Sequence, residues 1–185
     1  MSDPVGGVRW PHRQPDQRSC GAACLVVATM LTDASYDARL RADPGLWPAE
    51  VLRTHREVTG LRDAGRLGAP WPRLLGTPPW AVGRRLGRRP GGRWRTRLLR
   101  LGAGSFDSLL VLARHGVPLP LYVGSRLLPR HVVLVVGADG EHLLVWDPAR
   151  GATMRLTQEA FETGRLPFGR WRTPWFVVTP RRLAG

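Results

Sequence analysis

The chain has 185 residues, 43% of them apolar and 23% charged, which suits one folded domain with a real core and excludes wholesale disorder. Its formal net charge is +14, and all 28 basic residues are arginine. Two cysteines exclude a disulfide framework and a four-cysteine zinc site, and the longest apolar run, 24–31, is too short to span a bilayer.

Residues 1–19 are polar with Pro and Gly and read as an extended arm, flexible over 1–13. No apolar stretch of the kind found in a secretory signal occurs over 1–14. Residues 20–32 (CGAACLVVATMLT) are apolar on every face, which predicts a helix buried all round. Ser19 stands where an N-cap belongs. Residues 33–104 read as short helices joined by loops. One begins near Pro48, continues over 49–58 and stops at Gly60; another opens at Thr77-Pro78-Pro79 and runs to Leu86. Ser105 caps a helix reaching His115, and Gly116 ends it. Strands follow at 119–123, 131–136, 142–146 and 175–179, with one short helix at 157–163. The fold class is therefore α+β: one domain over 1–185, with a helical part at 14–104 and a mainly β part at 105–180.

The arginine excess has two readings. One is an acidic partner: nucleic acid, an anionic membrane or an acidic peptide. The other is a very G+C-rich coding sequence, which the scattered placement and the absence of Lys favour. Only 84–100 (RRLGRRPGGRWRTRLLR) is dense, and it lacks the aromatic repeat that base stacking needs, so nucleic acid is disfavoured.

Cys20 opens the buried helix. Helix N-terminal N–H groups and the macrodipole favour a thiolate there, and Gly21 and Ala22 leave room beside it. A thiolate nucleophile needs a base, and the base needs an orienter. His131 starts one strand and Asp147 ends the next. A three-residue loop at 138–140, with Gly140 left-handed, sets Gly137 opposite Glu141 and His131 opposite Asp147. The oxyanion of an acyl transfer needs donors; the Cys20 N–H is one, and Gln14 or Gln17 from the preceding loop supplies another. His12, His55, His115 and His142 read as solvated surface residues, and Cys24 as core. No spacing of His, Cys and Asp suggests a metal.

The run from Gln14 to Leu25 (QPDQRSCGAACL), then HVVLVVG from His131, then Trp146-Asp147-Pro148, resembles the double-glycine, bacteriocin-processing family of papain-like cysteine peptidases. The match covers about 14–31 and 116–162. It implies a papain-like fold, in which the Cys-bearing helix packs on an antiparallel sheet from the C-terminal half. It implies Cys20 as nucleophile, His131 as base, Asp147 as orienter and Gln14 as oxyanion donor. The strand and helix after Gly151 that carry Phe161 also fit the pattern. The implied function is cleavage of a peptide amide through an acyl-enzyme, with no metal or organic cofactor, on a peptide or protein such as a Gly-Gly leader. Typical members are N-terminal domains of membrane exporters, and no transporter follows here. A free nucleophilic Cys without signal or disulfide fits the cytoplasm. The alternative is a catalytically silent module of the same fold that binds an acidic peptide or nucleic acid through its arginines.

Overall fold

The computed structural model describes residues 12–60, 62–63, 66–67, 76–87, 93–99 and 105–181. In chain order these form α1 (Cys20–Met30), α2 (Ala34–Ala42), α3 (Leu46–Thr59), the short ladder β1 (Arg62–Asp63) and β2 (Arg66–Leu67), α4 (Pro79–Leu86), β3 (Trp94–Leu98), α5 (Ser105–Arg114), β4 (Leu119–Gly124), β5 (Pro129–Asp139), β6 (His142–Asp147), β7 (Ala152–Leu156), α6 (Gln158–Glu162) and β8 (Thr173–Pro180).

α1 has no polar face to turn outward, and every residue of it but Thr29 is buried. Thr29 satisfies its hydroxyl on the Leu25 carbonyl one turn back, at 2.9 Å. Asp33 caps α2 by accepting from the Tyr36 N–H at 3.0 Å. Tyr36 in turn donates its hydroxyl to Glu50 at 2.6 Å, which ties α2 to α3. α3 ends at Gly60, as its sequence predicts. α4 begins with Pro in its first turn, where the missing N–H costs nothing.

The main sheet has the order β3-β8-β4-β5-β6-β7, with every pair antiparallel. Helices cover both of its faces. On one, α1, α3 and α4 pack with Tyr122, Val132, Leu134, Trp146 and Val178. On the other, Phe106, Leu109 and Leu110 of α5 and Phe161 of α6 pack with Leu121, Val133, Val135, Val145 and Val177. Burial from both sides explains why β4 and β6 read as continuous apolar runs without alternation. Arg114 at the end of α5 holds the β5–β6 turn, donating to the Gly140 carbonyl and to Glu141, each at 2.9 Å.

Three expectations need correction. The part read as helical, 14–104, also supplies the edge strand β3, whose alternate arginines hide a strand pattern until Val177 and Val178 of β8 lie beside it. β7, read only through the family resemblance, pairs with residues 143–147 of β6. The arm is docked at its inner end: His12 stacks on Trp47 at 5.0 Å, and the Arg13 carbonyl accepts from Trp47 Nε1 at 2.8 Å. Residues 1–11 lie outside the described residues. Among those described, no helix is long and apolar enough to cross a membrane.

The crossing from β4 to β5 is tight at Gly124. A Cβ there would stand 2.1 Å from the Leu128 carbonyl oxygen and 2.7 Å from Pro129 Cα, both backbone atoms. Gly124→Ala should therefore lose about 1–3 kcal/mol of stability in urea unfolding. An unchanged midpoint would mean that the crossing is looser than described.

Candidate active site

Cys20 is the first residue of α1 and is buried. Ser19 holds the N-cap position, but its side chain caps nothing in the helix. The turn before it is held by Asp16, whose carboxylate oxygen accepts from the Arg18 and Ser19 N–H groups at 2.8 Å each. Burial pushes the Asp16 carboxyl up, and these bonds outweigh it and hold it below its ordinary value. An Asp two or three residues ahead of a turn's free N–H groups was the available signal. The Ala23 N–H makes the first bond back to the Ser19 carbonyl, at 2.8 Å. The N–H groups of residues 20–22 thus have no acceptor within the helix.

Gly21 is pressed against Thr77. A Cβ at Gly21 would lie 2.6 Å from Thr77 Cβ. The Thr77 carbonyl accepts from the Tyr122 hydroxyl at 2.8 Å, which joins this floor to β4. Burial, with the two thiols nearby, pushes the Tyr122 phenol well up, so it stays protonated.

His131 and Asp147 meet by a route the sequence does not predict. The β5–β6 loop has two residues, Gly140 and Glu141, with Asp139 opposite His142, and not the expected three. Gly140 does take a left-handed φ of +58°. Followed unbroken, that register would leave His131 and Asp147 on opposite faces of the sheet. A bulge at Val136 intervenes: Gly137 faces Leu144, Val135 faces Val145 and Leu134 faces Trp146. One step on, Asp147 lies beside Val133, two residues from His131 and on its face. The pair is diagonal, not directly opposed, a span that long side chains bridge.

They bridge it with His131 Nε2 2.7 Å from Asp147 Oδ1. The two residues are only 6% and 3% exposed, so this is an interior bond. Asp147 Oδ1 also accepts from the Ala149 N–H at 2.9 Å, and Arg150 Nε stands 3.7 Å from Oδ2. Burial alone would lower the His131 pKa, but the hydrogen bonds with Asp147 and Cys20 outweigh it and raise it to about 9. Burial likewise pushes Asp147 up, and His131 with the Ala149 N–H more than compensates, so its carboxyl sits below its ordinary value. Asp147 occupies Nε2, which leaves Nδ1 as the ring nitrogen for the Cys20 thiol.

Gln14 lies at the same junction. Its N–H donates to the carbonyl of Pro148, the residue after Asp147, at 2.8 Å. Its side-chain Nε2 donates to the Asp16 carbonyl at 2.5 Å, while Oε1 is buried without a hydrogen bond. Gln17 is exposed. Cys24, one turn below Cys20, is core as expected: its Sγ is 3.5 Å from the Val132 carbonyl, and burial pushes its thiol well up. His115 is exposed, and His142 is half-buried beside the turn. His55 is not a surface residue. It is buried with Val51, Thr54 and Val58 on the inward stripe of α3, a placement its charged neighbours in sequence conceal. Among the described residues, no three or more His, Cys, Asp or Glu gather closely enough to hold a metal ion.

No protein-family model matches the sequence, and no curated protein matches it. Solved structures do match. The peptidase domain of Streptococcus ComA, a bifunctional ABC transporter involved in a quorum-sensing pathway, is 16% identical with a TM-score of 0.50, over 91% of this chain and 94% of that one. The peptidase domain of Streptococcus mutans ComA is 15% identical with a TM-score of 0.43, over 92% and 98%. A double-glycine motif protease from an AMS/PCAT transporter, solved with its leader peptide, is 17% identical with a TM-score of 0.47, over 97% and 99%. The expected resemblance is borne out as a fold shared with the first of these: the chain is α+β, with the Cys-bearing helix packed on an antiparallel sheet.

Two outcomes follow from this geometry. His131 binds its proton more tightly when folded, at about 9 against an ordinary 6.5. Its contribution to stability is therefore complete below about pH 6.5 and is lost as pH rises through about 9. Urea unfolding should show wild type losing stability over that window relative to His131→Gln, and parallel pH profiles would refute the buried ion pair. Gly21→Ala should cost about 1–3 kcal/mol by overpacking, and Thr77→Ala in the same chain should restore part of it. Independent, additive effects would show that the two residues do not press on each other.

Proposed function

We propose that this protein is a cysteine peptidase that cleaves peptide amides through Cys20, His131 and Asp147, with Gln14 as an oxyanion donor. The observation that carries the reading is the buried 2.7 Å pairing of His131 with Asp147 beside a cysteine that opens a buried helix. A raised His131 pKa keeps the imidazole protonated at neutral pH, ready to give a proton to the leaving amine.

The Cys20 thiolate attacks the carbonyl carbon of the scissile amide. The oxyanion that forms takes hydrogen bonds from the Cys20 N–H and from the second amide hydrogen of Gln14 Nε2, the first being held by Asp16. As the intermediate collapses, the C–N bond breaks and the protonated Nδ1 of His131 gives its proton to the leaving amine. Water then attacks the acyl-enzyme, neutral His131 takes its proton, and the thiolate leaves. Asp147 stays on Nε2 throughout, where it fixes the ring and stabilises the imidazolium. The Gln14, Cys20, His131 and Asp147 motifs resemble those of double-glycine peptidases, so a leader with Gly-Gly before the cut is the first substrate class to try.

The test is hydrolysis of fluorogenic peptides carrying Gly-Gly ahead of the reporter, with products identified by mass. Cys20→Ala should have no measurable turnover while keeping its fold. Turnover retained in that variant would overturn the assignment. Gln14→Ala should lower kcat by roughly 10²–10³-fold with little change in KM. An effect confined to KM would remove Gln14 from the oxyanion site.

A further inference from the structure

β3 is an outermost strand of the sheet, and its pairing with β8 shows which backbone groups are in use. The Arg93 carbonyl accepts from the Arg181 N–H at 2.7 Å, and the Leu99 N–H donates to the Trp175 carbonyl at 2.9 Å. Bonded residues alternate along an antiparallel strand, so 93, 95, 97 and 99 direct their N–H and C=O groups at β8. Trp94, Thr96 and Leu98 direct theirs away from the sheet. Among the described residues no strand takes them up, since β8 is the single neighbour of β3.

The side chains add a second feature. Arg93 and Arg95 are exposed and Arg97 is half-buried. Their two-residue spacing sets all three on one face, about 7 Å apart from one to the next. Arg95 lies opposite Thr179 and Arg97 opposite Val177, so no carboxylate from β8 neutralises them. Among the described residues none of Arg93, Arg95, Arg97 and Arg181 has an acidic partner. The opposite edge differs. Arg155 of β7 is ion-paired with Asp139, and Arg150 just before β7 stands beside Asp147.

We propose that the outer edge of β3 is a docking strand for an extended acidic peptide segment with carboxylates at every second position. An added antiparallel strand would bond to the outward-facing backbone groups of Trp94, Thr96 and Leu98. Residues of that strand opposite Arg95 and Arg97 would then be in the non-hydrogen-bonded, closer pairing. Alternate Glu or Asp side chains there meet guanidinium forks that have no acidic partner among the described residues. Nucleic acid fits less well, because the one aromatic of the strand, Trp94, points to the opposite face from the arginines. This surface is separate from Cys20 and its partners, and binding there does not depend on the peptidase reading. Charged side chains also shield open edges from other copies of a chain, and the test separates that role from docking.

The test uses the full chain carrying Cys20→Ala, so that no probe is hydrolysed and binding is scored apart from turnover. A labelled peptide of alternating Val and Glu is titrated by fluorescence anisotropy, against the same peptide with Gln for Glu and against oligothymidylate. The Glu peptide should bind, more weakly as salt rises. Arg95→Gln with Arg97→Gln should weaken it by about 10-fold, the effect of two cross-strand ion pairs. Amide exchange at Trp94, Thr96 and Leu98 should slow when it is bound. Thr96→Pro, which deletes an outward N–H, should abolish binding; should that variant unfold, the exchange result on the unsubstituted strand decides. Equal binding of the Gln peptide, arginine-dependent binding of oligothymidylate alone, or unprotected amides at 94, 96 and 98 would each overturn the proposal. Self-association of the Arg95→Gln, Arg97→Gln chain with no loss of peptide affinity would assign the arginines to shielding instead.

Discussion

The hydrogen bond between His131 and Asp147 is made where neither side chain has appreciable access to water, and the fold around it is arranged to make that tolerable. A buried charge is costly unless it is paired and its remaining hydrogen-bonding capacity is used. Asp147 therefore also takes the Ala149 N–H and has Arg150 nearby. The bulge at Val136 puts both side chains on one face, at the strand ends where the first turn of α1 sets Cys20 close to His131. Without the bulge one strand would turn its other set of side chains to each core, and the two polar groups would be separated by the sheet.

Depth along one helix separates two thiols of identical chemistry. Cys20 sits in the first turn, beside His131 and above the Thr77–Tyr122 floor. Cys24, one turn lower, faces the Val132 carbonyl and is fully buried, which disfavours its ionised form. The segment before α1 completes the arrangement. Asp16 gathers two backbone N–H groups and the Gln14 amide bonds its carbonyl, while the Gln14 N–H bonds the residue after Asp147. The proposed nucleophile, base, orienter and oxyanion donor are thus cross-linked through backbone as well as through side chains. His12 stacked on Trp47, itself edge-on to Trp146, fastens the start of that segment to the core.

Local patterns were readable wherever burial was uniform. The all-apolar run of α1, the stop of α3 at Gly60, and the valine- and leucine-rich strands β4, β5, β6 and β8 follow from composition and punctuation alone. The charged stretches were harder. β3 alternates arginine with Trp, Thr and Leu, so its inward side is visible only once β8 and α4 pack on it. His55 sits between Thr54 and Arg56, and only the packing of α3 on α1 turns it inward. Ser19 had the right residue type for a cap but makes no cap bond, and Asp16 instead holds the turn before the helix.

The sequence by itself determined the residue types that carry the proposed chemistry, their order, and the α+β class, because these depend on side-chain chemistry and short-range periodicity. Only the tertiary structure decided how those residues meet. A strand register has no local signature when every residue on it is apolar, and one inserted residue reverses the face of all that follow. The loop length, the bulge at Val136 and the diagonal approach of His131 to Asp147 were chosen by which side chains could be buried against α1 and α5 together. That is a property of the whole packed sheet and of no segment within it.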